Sequence, residues 1–421
     1  MTLDYNRFTN VRFMVMNMKV TVLGGAGAIG RSAAKALVAS KFFDEIMLVD
    51  IEEEKVRSVS KECGGNTKCA KADIGKPETI MSVIKDADVV LNCTGPFYET
   101  GPKVLEMAIQ AKKNYVDVCD DYDATIKMLG FDEKAKKAGI SALMGMGSSP
   151  GASNLFAKFC ATTLLSEVDS VDIYHAHGGE PFEGPGVIKH RIHGMTMDIP
   201  VFDKELKTVK FFGESGKAMI QEVEFPDLGT YKVFPYPHPE TITLPKYLKG
   251  VKWVMNRGVV LPIEYMEVIM DIVKSGMTSA KPIAVSGHEI APLDFAIAYI
   301  LEKRAELNKK TGMTEPMGGV KVVVKGKEKG KKVQYVVYAT STGGMMEGTG
   351  TPAAIGALLM ATVNTSKPKI RIKGVFPPEA GVDPIDAFEW AGKFSKSGSG
   401  IGIKAQKIDE AGNAKPIPLP L

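Results

Sequence analysis

The chain has 421 residues, 44% of them hydrophobic and 24% charged, with a formal net charge of +4. That length allows two domains with substantial cores, and the small net charge gives no reason to expect a nucleic-acid or membrane partner. No apolar run is long enough to span a bilayer, and the five scattered cysteines (Cys63, Cys69, Cys93, Cys119, Cys160) suit a reduced cytoplasmic setting better than a disulfide framework or a zinc site.

Residues 1–17 carry Arg7, Arg12 and the apolar run Phe13-Met14-Val15-Met16. The run is too short for a signal peptide and lacks a cleavage site. This stretch reads as an extension before the first strand, or as a start placed too far upstream. Lys19 to Leu23 (KVTVL) is a β-branched run suited to a buried parallel strand. Gly25-x-Gly27-x-x-Gly30 follows, and an Ala-rich helix runs on through Val38. Gly25 allows the tight turn, Gly27 lets backbone approach a pyrophosphate, and Gly30 lets the helix pack on the strand. The helix start, with Ala28 and Ile29, offers free N–H groups to the phosphates.

A second strand, Glu45 to Asp50, ends in an acid about 20 residues past the glycines, where a ribose-binding carboxylate is expected. Asp50 would accept the ribose hydroxyls and repel a 2′-phosphate. Glu52, Glu53 and Glu54 add to that repulsion and Arg57 partly offsets it, so NAD is expected in preference to NADP. The alternation continues with a helix over 53–62, a strand over 67–70 and a helix from Pro77. Asp73 is placed either to meet the adenine amino group or to cap that helix. A fourth strand, Ala87 to Cys93, leads into Asn92-Cys93-Thr94-Gly95-Pro96 at the carboxyl edge, where such sheets bind ligands.

The run from Asn92 to Tyr122 resembles the segment after the fourth strand in the saccharopine dehydrogenase family. Gly147 to Asn154, with its Pro-Gly-x-x-Asn pattern, resembles the crossing into that family's second domain. Gly350 to Ala354 resembles the helix that returns to the nucleotide domain, and Gly374 to Glu379 a closing motif. The resemblance implies a Rossmann α/β domain over 18–152, with a return near 350–375. It also implies an α+β domain over 153–349 with an open, mostly antiparallel sheet that makes a homodimer, and a closing segment over 376–421. The residues agree: strand-like runs appear at 170–177 and 207–212, and a hairpin joins 320–324 to 333–338. Its basic tip reads as a solvated loop. A helix over 293–308 is expected to cover the sheet.

Hydride transfer belongs to the nicotinamide; the protein orients the substrate and handles its charge. Asp117, Asp120, Asp121 and Asp123 crowd after the fifth strand, at the nicotinamide edge. Asp120 and Asp121 are the preferred residues for a substrate ammonium or proton transfer; Asp121 or Asp123 would otherwise cap the next helix. Tyr98 either closes over the nicotinamide or packs. His175 and His177 share one face of a strand. Arg191 either grips a substrate carboxylate or makes an ordinary ion pair, and Lys189 and Arg257 are further cations. His177 joins Arg191 as a substrate-binding candidate. A metal at His175, His177, His190 and His193 lacks ligand spacing, and Cys93 reads as a core residue, not a thioester nucleophile.

The expectation is an NAD(P)-dependent oxidoreductase acting on a C–N bond of a small amino-acid or imine substrate. Its leading version is a lysine 6-dehydrogenase-like oxidative deamination. The alternatives are a saccharopine- or carboxynorspermidine-type imine reductase and a non-catalytic NAD-binding partner protein.

Overall fold

The computed structural model describes residues 17–398 and 400–421, so the expectation for the amino-terminal extension falls almost wholly outside the described residues. Seven strands form an all-parallel sheet in the order Gly374–Phe376, Ser141–Leu143, Asn114–Asp117, Val89–Asn92, Lys19–Leu23, Glu45–Asp50 and Thr67–Lys71. Most of its strands are buried on both faces, which is why they read as β-branched runs without alternation. The chain starts mid-sheet, builds outward to Thr67–Lys71, then returns to lay Val89–Asn92 on the other side of Lys19–Leu23. Helices cross between the strands at Ala28–Ser40, Glu53–Cys63, Pro77–Ile84 and Phe97–Gln110. The strand order therefore reverses between Leu23 and Asn92, and a crevice opens at their carboxyl ends, as this topology requires.

A second sheet runs Gln221–Phe225, Gly229–Pro235, Trp253–Leu261, Glu167–Gly178, Met317–Glu328, Lys331–Ser341, Ile401–Ile408 and Ala414–Ile417. Asp198–Asp203 and Glu205–Lys210 attach to Trp253–Leu261. The pairing of Trp253–Leu261 with Glu167–Gly178 is parallel and the other described pairs are antiparallel. The strand expected over 207–212 lies earlier, because Gly213 N–H turns back onto the Lys210 carbonyl and ends it. The helix expected over 293–308 spans Pro292–Thr311 and stacks on helices Pro185–Thr196 and Ile263–Lys274, which come between it and the strands. No described helix is long and apolar enough to cross a membrane.

The chain passes between the two sheets at Gly147–Ala152, at Ser341–Gly344 and between Lys396 and Ile401. Helix Gly344–Ala361 then lies along helix Ala28–Ser40. Gly350 makes that approach possible, since a Cβ there would sit 2.5 Å from the Ser32 Cβ. Helix Ala152–Phe159 packs on strand Met317–Glu328, and Asn154 at its start holds Gly151 N–H and the buried Glu379 carboxylate.

Candidate active site

One cleft of about 620 Å³ runs from the glycine loop to the second sheet. At its first end lie Gly27, Ala28, Ile29, Asp50 and Asp73. Helix Ala28–Ser40 has no acid in its first turn and no side-chain cap, so its leading N–H groups are open to an anion. Gly25 and Gly30 stand behind this surface. A Cβ on Gly30 would lie 2.2 Å from the Gly24 carbonyl oxygen, so only glycine permits the helix to start there. Asp50 accepts N–H bonds from Ala26 (3.0 Å) and Glu52 (3.2 Å), which aims its remaining lone pairs into the cleft. These residues fit a dinucleotide: an anion-ready helix start and, beside it at the end of the second strand, a carboxylate that lines the same cleft. Arg57 is drawn away to Glu53 and Glu54, and the cation lining this end of the cleft is Lys55, paired with Glu52 at 2.6 Å. Asp73 is not the helix cap, which is Lys76; its side chain accepts from Gly75 N–H instead.

Thr94, Gly95 and Pro96 line the middle of the cleft. Asn92 does not. It is fully buried, donating to the Tyr115 hydroxyl and accepting from Thr94 N–H, so it supports the turn from behind. Cys93 is desolvated and its thiol is pushed up to about 12, which removes it as a nucleophile.

At the far end, Asp120 and His190 face one another, with His190 Nε2 3.4 Å from Asp120 Oδ2. Asp121 does not line the cleft. It sits at the cap position of helix Tyr122–Leu129 without capping it, because its oxygens are taken by Tyr98 N–H (2.9 Å) and His190 Nδ1 (2.8 Å). Partial desolvation by the cleft walls raises the Asp120 carboxyl to about 6 against the pull of His190, although the side chain stays open to the cleft. Burial also opposes charge on His190, but Asp120 and Asp121 together outweigh it and lift the imidazole to about 9. The Tyr98 ring lies outside the cleft, stacked on His193 at 3.9 Å, and His193 in turn pairs with Asp123 at 3.3 Å.

Arg191 lines the cleft but is not a free cation. It is 2% exposed and bound to Glu183 at 2.5 Å, within a buried group that includes Tyr265 and Arg304. His177 also lines the cleft, 3.4 Å from Glu180, which in turn accepts the Met345 N–H at the start of helix Gly344–Ala361. Lys189 and Arg257 lie outside the cleft; Arg257 pairs with Asp172 at 3.0 Å.

Sequence reasoning missed Tyr236 and His238, which complete this end. His238 stacks on His175 at 5.0 Å, and Tyr236 meets both rings edge-on. Burial lowers His175 to about 3 and holds His238 well below the usual imidazole range, so both rings are neutral. Gly258 makes room for His175, whose ring a Cβ would strike at 1.9 Å. The proline-flanked run Pro235-Tyr236-Pro237-His238-Pro239 was the visible signal, since prolines fix a loop from both sides. The four histidines considered for a metal do not converge. Two separate trios form instead: Asp120 with His190 and His238, and Asp121 with Asp123 and His193.

The description "Saccharopine dehydrogenase NADP binding domain" matches residues 20–143, and "Saccharopine dehydrogenase C-terminal domain" matches residues 187–398. The chain belongs to the saccharopine dehydrogenase family. It is an NAD(P)-dependent oxidoreductase of that family. Carboxynorspermidine synthase of Vibrio cholerae is 24% identical over 354 residues, spanning 75% of this chain and 79% of the relative. That of Vibrio alginolyticus is 25% identical over 288 residues, 62% of this chain and, just under two thirds, 64% of the relative. Carboxyaminopropylagmatine dehydrogenase of Synechocystis is 20% identical over 416 residues, 90% of this chain and 96% of the relative. Among solved structures, apo saccharopine dehydrogenase (L-Glu forming) from Saccharomyces cerevisiae superposes with a TM-score of 0.63 at 15% identity, covering 92% of this chain and 99% of that one, and so shares the saccharopine dehydrogenase fold.

Proposed function

We propose that this family member reduces an imine, formed between an amine and an aldehyde, to a secondary amine. The observation that carries the reading is the single cleft joining the dinucleotide end to Asp120. A bound nicotinamide supplies the hydride; the chain does the rest. Asp120 holds the positively charged substrate nitrogen, and His190, fixed by Asp121, holds Asp120 in place. The His175, Tyr236 and His238 rings wall the site and keep water out. The names of the Vibrio and Synechocystis relatives support amine-joining chemistry over the lysine 6-dehydrogenase version, which nothing in the relatives favours. The test is a panel of amines paired with aldehydes, run beside lysine with NAD, following NADH absorbance. Turnover only with lysine and NAD would overturn the reductase reading, and no turnover with either would revive the non-catalytic partner.

NAD is proposed as the preferred cofactor, because Asp50 and Glu52 line the end of the cleft where the adenosine ribose would lie and Lys55 is already paired. A homodimer through the second domain is part of the reading. Exposed Ile283, Val285 and Ile290 on a two-stranded hairpin, with stacked Phe295 and Tyr299 on the next helix, are apolar surface suited to a second copy. Light scattering tests it: a monomer at micromolar concentration, or a dimer unaffected by Phe295→Lys, would refute this interface.

A further inference from the structure

We propose that Asp120, His190 and His238 form a binding site for one zinc-class divalent ion within the cleft, where it competes with the substrate's cationic nitrogen. Binding follows from the geometry of this trio; only the competition rests on the proposed function. One ligand atom from each residue lies within 4.8 Å of the other two.

Both histidines are prepared as ligands from behind. His190 donates Nδ1–H to Asp121 at 2.8 Å, which turns Nε2 toward Asp120, and a metal binding there displaces the proton that Nε2 shares with Asp120. A carboxylate behind the imidazole is the usual support for a metal-bound histidine. His238 is set by a count of protons. The Ser149 hydroxyl has one hydrogen and two lone pairs. Its hydrogen goes to Glu240 Oε1 at 2.5 Å, and one lone pair accepts from Asn256 Nδ2 at 3.0 Å. The remaining lone pair faces His238 Nδ1 at 3.4 Å, and an Nδ1–H donated to it is the tautomer that leaves Nε2 to a metal. In that tautomer His238 Nε2 presents a lone pair; no described residue hydrogen-bonds to it, and the largely buried ring lines the cleft. Stacking on His175 fixes the ring plane.

Two imidazoles and one carboxylate with an open fourth position suit zinc and its neighbours, and not magnesium or calcium, which prefer oxygen. Zinc–ligand bonds of about 2.0–2.1 Å require the three atoms to draw in. Asp120, whose side chain is 35% exposed and opens on the cleft, is free to do so. The second trio is a poorer site, because both Asp121 oxygens are already occupied.

The test uses the full chain, treated with chelator and titrated with zinc chloride by calorimetry, and with cobalt(II) by visible absorption. The expected result is one zinc per chain and a tetrahedral cobalt band. His238→Gln should weaken zinc by at least about a hundredfold and erase the band. Asp121→Asn should weaken it by about 10–100-fold, and His193→Ala should leave it unchanged. Wild-type affinity and spectrum in His238→Gln, or loss of binding in His193→Ala instead, would overturn the proposal. If His238→Gln does not fold, Asp120→Asn carries the same test. The readout needs no turnover, so its failure leaves the imine-reductase reading standing.

Discussion

Glu379 gives the chain a pH-dependent stability that one substitution should remove. The side chain is 3% exposed; Oε2 accepts from Asn154 Nδ2 at 2.8 Å, Oε1 meets no donor in good hydrogen-bond geometry, and the Thr243 hydroxyl lies close enough to oppose the shift. Burial raises its carboxyl from 4.5 to about 7, against weaker opposing hydrogen bonds. The folded state therefore binds a proton that the unfolded state has lost between those values. Stability should fall as pH rises from about 4.5 to 7 and level off above, since the native state holds more protons there. A shift of about 2.5 units at about 1.36 kcal/mol each sets a ceiling of about 3 kcal/mol. Glu379→Gln keeps the shape and an acceptor for Asn154 but cannot ionise. It should differ little from the wild type near pH 4 and gain on it by about 1–3 kcal/mol near pH 8.5. Urea midpoints at several pH values for both proteins measure this, and the difference between them removes other groups that titrate. Parallel curves for the two proteins would refute the reasoning and place an unseen partner on Oε1.

Asp50→Ala should relax the preference for NAD; tighter NADP than NAD binding by the unmodified protein would refute the role given to Asp50. Gly27→Val puts a Cβ 3.2 Å from the Gly24 carbonyl oxygen, a tight contact that a shift of a few tenths of an ångström relieves, and fills the cleft, so cofactor binding should vanish with the fold retained by circular dichroism. Asp120→Asn should cut kcat/KM by about tenfold to a hundredfold with NAD affinity unchanged, as expected for a charge-assisted contact of about 1.5–3 kcal/mol; full turnover would move the substrate nitrogen elsewhere. Treatment with EDTA should leave or raise basal turnover, and loss restored by zinc would make the ion a cofactor in place of a competitor.

The nucleotide half was legible because its signals are local. Lys19–Leu23, the glycines and Glu45–Asp50 form one contiguous stretch whose spacing fixes the geometry. The far end was not, because its residues come from distant segments. Asp120 follows the fifth strand, His190 sits on a helix, and His238 sits in a proline-framed loop; only the fold brings them together. Burial also reversed several readings. Asp121 and Arg191 read as substrate contacts, yet each spends its charge on a protein partner: His190, 69 residues on, for Asp121 and Glu183, just before its own helix, for Arg191. Tyr98 precedes the right edge in sequence but is carried past it by the first turn of helix Phe97–Gln110.

The three passages between the sheets gather along one side of the cleft. Thr342 N–H donates to the Gly400 carbonyl at 3.2 Å, and a Cβ on Gly147 would meet Thr349 at 3.0 Å. They form the spine of a book, and the two sheets are its covers. Along the opposite, free edge the covers touch where a Cβ on Gly186 would press the Gly95 carbonyl oxygen at 3.0 Å. Two glycines meeting there let them shut flush, and a side chain at position 186 would act as a wedge.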